Sequence, residues 1–172
     1  MKFFYIKIFL LFILTGTLNA NENIRFININ YIVNKSEAGK SLNKIIENKS
    51  KKIVSELNDL GKKIENKKDK IISQKNILKK EDLDNLVKVY ENEVQKFNEI
   101  RKKMRDEFNS FNIKSKKKII DLLNPLITNY LKKESIQMLL QKDKIVFGND
   151  TLDITKEILK LFDDKHKKIQ FE

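Results

Sequence analysis

Two stretches of the chain carry residue types and spacings that could do chemistry. The first is Asn34-Lys-Ser-Glu-Ala-Gly39-Lys40-Ser41, which follows a strand-like run, precedes a helix-like one, and ends like the phosphate-binding loop G-x-x-x-x-G-K-[ST]. Its details argue against that chemistry. Asn34 stands where the first glycine should be, and Glu37 would set a carboxylate beside the phosphates. No second strand ends in an acidic residue to hold Mg²⁺. The simpler reading is that Ser36 or Glu37 starts a helix and Gly39 packs closely against a neighbour. The second stretch holds His166, the one histidine, among C-terminal lysines. There is no cysteine, no cluster with metal-ligand spacing, and no Ser, His and acid constellation. The expectation is a protein that is not an enzyme, takes no nucleotide, metal or other cofactor, and works by binding.

Charge says what it would bind. Lys and Arg number 36 against 24 Asp and Glu, a formal net charge of +12. Such an excess favours acidic partners: anionic lipid, acidic protein surfaces or nucleic acid. Lys67, Lys68, Lys70, Lys75, Lys79 and Lys80 crowd into one short stretch, only partly offset by Glu65, Asp69, Glu81 and Asp82. The N-terminus narrows the choice. Met1 and Lys2 open the chain, an apolar run follows to Leu18, and Thr17-Leu18-Asn19-Ala20 closes it with mostly small residues. This is the pattern of a secretory signal over 1–20, with cleavage after about Ala20. The continuous apolar run Ile8 to Leu14 is too short to cross a hydrocarbon core of about 30 Å as a helix. Cleavage would remove Lys2 and Lys7 and no acid, so the exported chain keeps +10. Export argues against nucleic acid as the partner.

The elements that position these charges follow from periodicity. A seam Ile46, Ser50, Ile53, Leu57, Leu60, Ile64, Lys67, Ile71 steps alternately by four and three, as does a second, Leu83, Val87, Tyr90, Val94, Phe97, Arg101, Met104, Phe108, Phe111, Ser115. That is a heptad pattern with charged residues on the other faces. The seam lapses between Ser73 and Asp82, and Asp82 can cap a new helix. The expectation is an antiparallel helical hairpin over 41–119, a coiled-coil-like arm with its tip near 75–80. Gly61 interrupts the first helix. The ends of the chain, 21–40 and 120–172, are expected to form a small α/β body. In it, residues 24–31 form a strand, 135–140 a second, and 144–147 a third, joined to the second by a turn at 141–143. Pro125, late in the preceding helix, should kink it or mark a new start. Asp153 caps a final helix whose inner face is Ile154, Ile158, Leu161 and Phe162. The fold class is thus mainly α with a small β part. A body this small gains from oligomerisation, and its exposed strand edges invite it. Ile24, Phe26, Ile27, Ile29, Val146 and Phe147 are the candidate assembly residues.

The order of these elements resembles the Skp/OmpH family of periplasmic chaperones for outer-membrane proteins. Ile27-Asn-Ile-Asn-Tyr-Ile-Val-Asn-Lys-Ser36 with Gly39-Lys40 is similar to that family's opening strand, turn and helix start. Ile145-Val-Phe-Gly148 with Leu152-Asp153-Ile154-Thr155 is similar to its closing strand and helix cap. Ile77-Leu78 with Glu81-Asp82 is similar to the tip of many members. The resemblance spans nearly the whole exported chain. It departs at Lys132-Lys-Glu-Ser135, which lacks the Gly often found there. The resemblance implies a periplasmic homotrimer joined through a small β-barrel, its arms surrounding a cavity. Unfolded outer-membrane proteins would be its partners, held without ATP; the lysine cluster around the tip, from its charge, would meet client or membrane. Two other readings suit the same sequence: a structural coiled-coil spacer of the envelope, and a peripheral binder of anionic lipid or lipopolysaccharide.

Overall fold

The computed structural model describes residues 23–171, so the signal-like segment over 1–20 lies outside the described residues. The elements run β1 (Ile24–Ile27), α1 (Ile29–Lys35), α2 (Glu37–Gln74), α3 (Lys80–Lys133), β2 (Met138–Gln141) and α4 (Thr155–Lys165). Single 3₁₀ turns at Lys142–Lys144 and Asp150–Leu152 lie between β2 and α4.

α2 and α3 form the expected antiparallel hairpin. Both seams pack inward along it: every seam residue is half-buried except Ser115, which is buried, and Lys67 and Arg101, which stay exposed. At 1.5 Å per residue α2 is about 57 Å long. α3 runs 54 residues, through the arm and on into the body. It starts at Lys80, with Lys79 as a cap that makes no side-chain bond. Asp82 therefore does not cap this helix. It lies with Glu81 in the first turn, where a carboxylate still favours the positive end of the helix dipole. Pro125 lies inside α3 without ending it. Leu123 and Ile127, on either side, are buried in the core, and this packing outweighs the lost N–H.

The body differs from the sequence reading in its strands. The strand expected over 24–31 stops at Ile27, because the Asn28 side chain accepts from the Tyr31 N–H at 2.8 Å and starts α1 instead. β2 spans Met138–Gln141 and pairs with β1 in parallel, Ile24 opposite Met138 and Ile27 opposite Gln141. The third strand expected over 144–147 is absent: Lys142–Lys144 is a 3₁₀ turn, and residues 145–149 belong to no helix or strand. Between α3 and β2, Ser135 takes a left-handed φ of 52°. There the Ile136 N–H reaches back to the Leu131 carbonyl at 2.9 Å and closes the helix end.

The core joins both ends of the chain. Ile27, Ile32, Val33, Ala38 and Leu42 pack against Ile119, Leu123, Ile127, Ile154, Ile158 and Phe162. Leu161, expected on the inner face of α4, is 42% exposed and faces out. α4 is positioned by Asp153, whose Oδ1 accepts from the Thr155 N–H at 2.9 Å, and by the Thr155 hydroxyl, which accepts from the Asn28 N–H at 2.8 Å. α2 is held by Ser36, whose hydroxyl accepts from the Gly39 N–H at 3.1 Å. A Cβ on Gly39 would lie 1.9 Å from the Val33 carbonyl oxygen, so only glycine fits. The loop-like motif at 34–41 is thus a junction between two helices, with Ser36, Ala38 and Gly39 buried in it. Val33's carbonyl occupies the space in front of Gly39 that a phosphate cradle would need.

Candidate functional site

The arm is the most extended surface of the molecule, and its geometry comes from its seam. Apolar side chains at alternating steps of four and three hold α2 and α3 together along one stripe. Lys67, a polar interruption in the first seam, forms an ion pair across the hairpin with Glu93. Gly61 leaves room beside Phe97, whose Cζ is 4.0 Å from where a Cβ would stand.

Three clefts open along the hairpin. One of about 430 Å³ is floored by Leu60, Ile64, Phe97 and Ile100, with Lys63, Lys67, Lys70, Lys96 and Glu93 around it. A second, about 230 Å³, lies nearer the tip and shares Lys67 and Lys70; Ile71, Leu86, Val89 and Tyr90 supply its apolar walls. A third, about 260 Å³, lies nearer the body between Ile53, Met104, Phe108 and Phe111. Several of these apolar side chains remain in contact with water: Leu86 is 38% exposed, Val89 53% and Ile100 37%. Sequence reasoning assigned none of these three residues a role. A signal was present, since Leu86, Glu93 and Ile100 recur every seven residues, each one place before a seam position.

Of the basic residues picked out by sequence, Lys67 and Lys70 border the clefts. Lys75, Lys79 and Lys80 are exposed around the turn between α2 and α3, and Lys68 is exposed on α2 before its last turn. Ile77 in that turn is 81% exposed. The six lysines therefore form no single site; two border a groove, three stud the tip, and Lys68 stands apart on α2.

At the other end, the residues picked out for assembly divide. Phe26 and Ile27 are buried, and Ile24 and Ile29 are half-buried. Val146 and Phe147 are almost wholly exposed, at 104% and 94%. Met138 and Leu140 of β2 are also exposed, so the sheet presents an apolar outer side. Lys142 ties the irregular segment down. Its Nζ donates to Asp153 Oδ2 at 2.6 Å and lies 5.5 Å from the centre of the Phe26 ring. Burial alone would raise the Asp153 pKa; the bonds from Lys142 and Thr155 outweigh it and hold the carboxyl below its usual range. The same hydrogen bond raises Lys142. His166 packs at a tilt against Phe162, ring centres 5.2 Å apart, and closes α4, its backbone N–H donating to the Phe162 carbonyl, so it acts in packing. Among the described residues no cluster of His, Cys, Asp or Glu could hold a metal ion, and no helix is long and apolar enough to cross a membrane.

Comparison with known proteins agrees with this architecture. The crystal structure of a proposed outer membrane chaperone (OmpH-like) from Caulobacter crescentus CB15 superposes with a TM-score of 0.79 at 15% sequence identity, covering 87% of this chain and 89% of that one. At that identity the likeness establishes the fold. No curated protein matches the sequence. The family model described as Outer membrane protein (OmpH-like) matches residues 23–162, nearly all of the described chain, and the protein therefore belongs to the OmpH-like family.

Proposed function

We propose that the protein is a periplasmic holdase, which binds unfolded outer-membrane proteins without ATP and keeps them from aggregating on their way to the outer membrane. The observation that carries this reading is the arm. It is a long, two-helix projection with half-buried apolar clefts, exposed apolar side chains and a lysine-rich rim. A holdase must cover apolar segments of many sequences without fixed shape complementarity, and an open arm of this kind supplies apolar contact along its length. Binding the unfolded client lowers the concentration of free aggregating chains by mass action. The family, and the suggested outer membrane chaperone role of the Caulobacter relative, favour the same reading.

In this reading the chain is exported, cleaved after about Ala20, and assembles as a homotrimer. The body over 21–40 and 120–172 forms the assembly core through β1 and the exposed segment at Val146 and Phe147, and the arm over 41–119 meets clients. The exposed lysines at the tip favour a second activity, contact with anionic lipid or lipopolysaccharide. A purely structural spacer fits less well, because its seam would be flanked by filled surfaces rather than clefts. The deciding experiment is light scattering of an unfolded β-barrel protein diluted from denaturant, with and without the mature protein and with no nucleotide. Suppressed aggregation is the expected result; undiminished aggregation at a several-fold molar excess of the protein would overturn the reading.

A further inference from the structure

The two sides of the arm differ. In an antiparallel pair, residues one place before the seam positions of one helix face the matching residues of the other across one flank of the seam, and residues one place after face one another across the opposite flank. All three clefts open on the first flank. It carries Lys49, Glu56, Lys63 and Lys70 on α2 against Leu86, Glu93, Ile100 and Glu107 on α3. The opposite flank carries Glu47, Val54, Gly61 and Lys68 against Asp84, Glu91, Asn98 and Arg105. Polar and charged side chains dominate there; its large apolar residues are Val54 and, one place after Ile71, Ile72, and neither lines any of the three clefts.

Resting on the holdase reading above, we propose that the groove flank alone is the client-binding face. The part running from Leu86 and Val89 to Ile100 would hold an extended apolar segment flanked by acidic residues. Charge selects that occupant. Around the two tip-ward clefts stand Lys63, Lys67, Lys70 and Lys96 against the single acid Glu93, a local charge of +3. Glu93 is already engaged by Lys67 across the hairpin. An apolar strand seated over Leu86, Val89 and Ile100 places its flanking side chains among lysines, so acids there are attracted and bases repelled. The body-ward cleft adds Lys49 and Lys52 against Glu56 and Glu107, a balanced set that continues the apolar floor without charge preference. The clefts lie in file, which suits an extended segment better than a compact ligand.

The test uses the full mature chain, with a photo-crosslinking amino acid placed either at Val89 or Ile100 on the groove flank or at Val54 or Asn98 on the opposite one. The probe is an unfolded β-barrel protein. Crosslinks several-fold stronger from the groove positions are expected. A second arm measures binding of one apolar strand peptide with either Asp or Lys flanks. The Asp version should bind about tenfold more tightly at low salt, and Ile100→Asp should remove most of that binding while Asn98→Asp does not. Equal crosslinking from both flanks, or equal binding of the two peptides, would overturn the proposal while leaving the holdase reading intact. If the parent protein takes up no unfolded β-barrel protein at all, the holdase reading itself fails.

Discussion

Ser135 is the residue where local chemistry and backbone geometry conflict most openly. A side chain in the left-handed region brings Cβ close to the following carbonyl, and glycine escapes this cost. Ser135 holds the conformation because the end of α3 must turn into β2. Ser135→Gly should therefore raise the unfolding free energy by about 1 kcal/mol, measured by urea denaturation. The Lys142–Asp153 pair gives a second expectation, in pH. Asp153 has a folded pKa below its unfolded value near 3.9. Its contribution is thus complete above about pH 4 and is lost as pH falls through the lower folded value. Lys142, raised by the same bond, loses its share only as pH climbs past about 10. Unfolding curves between pH 2 and 6 (the range flanking the carboxylate values) should show a smaller acid loss in Asp153→Asn, which cannot release that bond by protonation.

At the scale of elements, the arm was legible and the end of the body was not. Both seams were readable because a heptad pattern is local: each residue's burial depends on neighbours three and four places away, and the second helix only has to match. Ser50 and Ser115, polar by type, still fell inside the seam. The segment at 144–147 fails for the opposite reason. Ile145, Val146 and Phe147 have strand propensity, but a strand needs a partner, and within this chain β2 is already paired with β1 on one side. Strand propensity alone could not say that Val146 and Phe147 would stand exposed. The groove was equally hidden, since the seam shows which residues meet but not which flank is left open. The division between arm and body has its own consequence. Leu42, Ile46, Phe111 and Ile119 connect the arm's base to the core, and no member of the core cluster lies between residues 57 and 104. Replacing 57–104 by a short flexible linker should leave a body that unfolds cooperatively, seen by calorimetry, but no longer suppresses client aggregation. In the whole chain, amides of the arm should exchange faster than those around Ile32, Leu123 and Ile158, because only a seam protects them.

At the scale of the molecule, the exposed apolar ends and the charged tip point to two separate tasks. The outer side of the two-stranded sheet, with Met138 and Leu140 exposed, and the exposed Phe147 should be covered by other copies of the chain. Sedimentation of the mature protein should give three times the chain mass. Phe147→Asp should weaken that assembly with little effect on the protomer fold. Phe26→Asp should damage the fold itself, because Phe26 is buried under Lys142.

In the holdase reading, the tip acts on the approach of a partner. Lys75, Lys79 and Lys80 are exposed around a turn that no other element among the described residues covers, and Glu81 and Asp82 offset them only in part. Charges of this kind act over about one Debye length, roughly 8 Å at physiological salt, and are screened beyond it. They can draw in an acidic client or an anionic vesicle, but they contribute little to a complex held by apolar contact along the arm. Changing Lys75, Lys79 and Lys80 to Gln should therefore slow association several-fold in low salt while leaving dissociation close to that of the parent, as read by stopped-flow fluorescence. Raising the salt should bring the two proteins together, since screening removes from the parent what the substitutions removed from the variant. The groove lysines should behave differently. Lys63 and Lys96 stand beside apolar floor that a bound segment would cover, where water is excluded and screening is weaker. Their replacement by Gln should quicken dissociation from acid-flanked segments, and that difference should persist at salt concentrations where the effect of the tip has vanished.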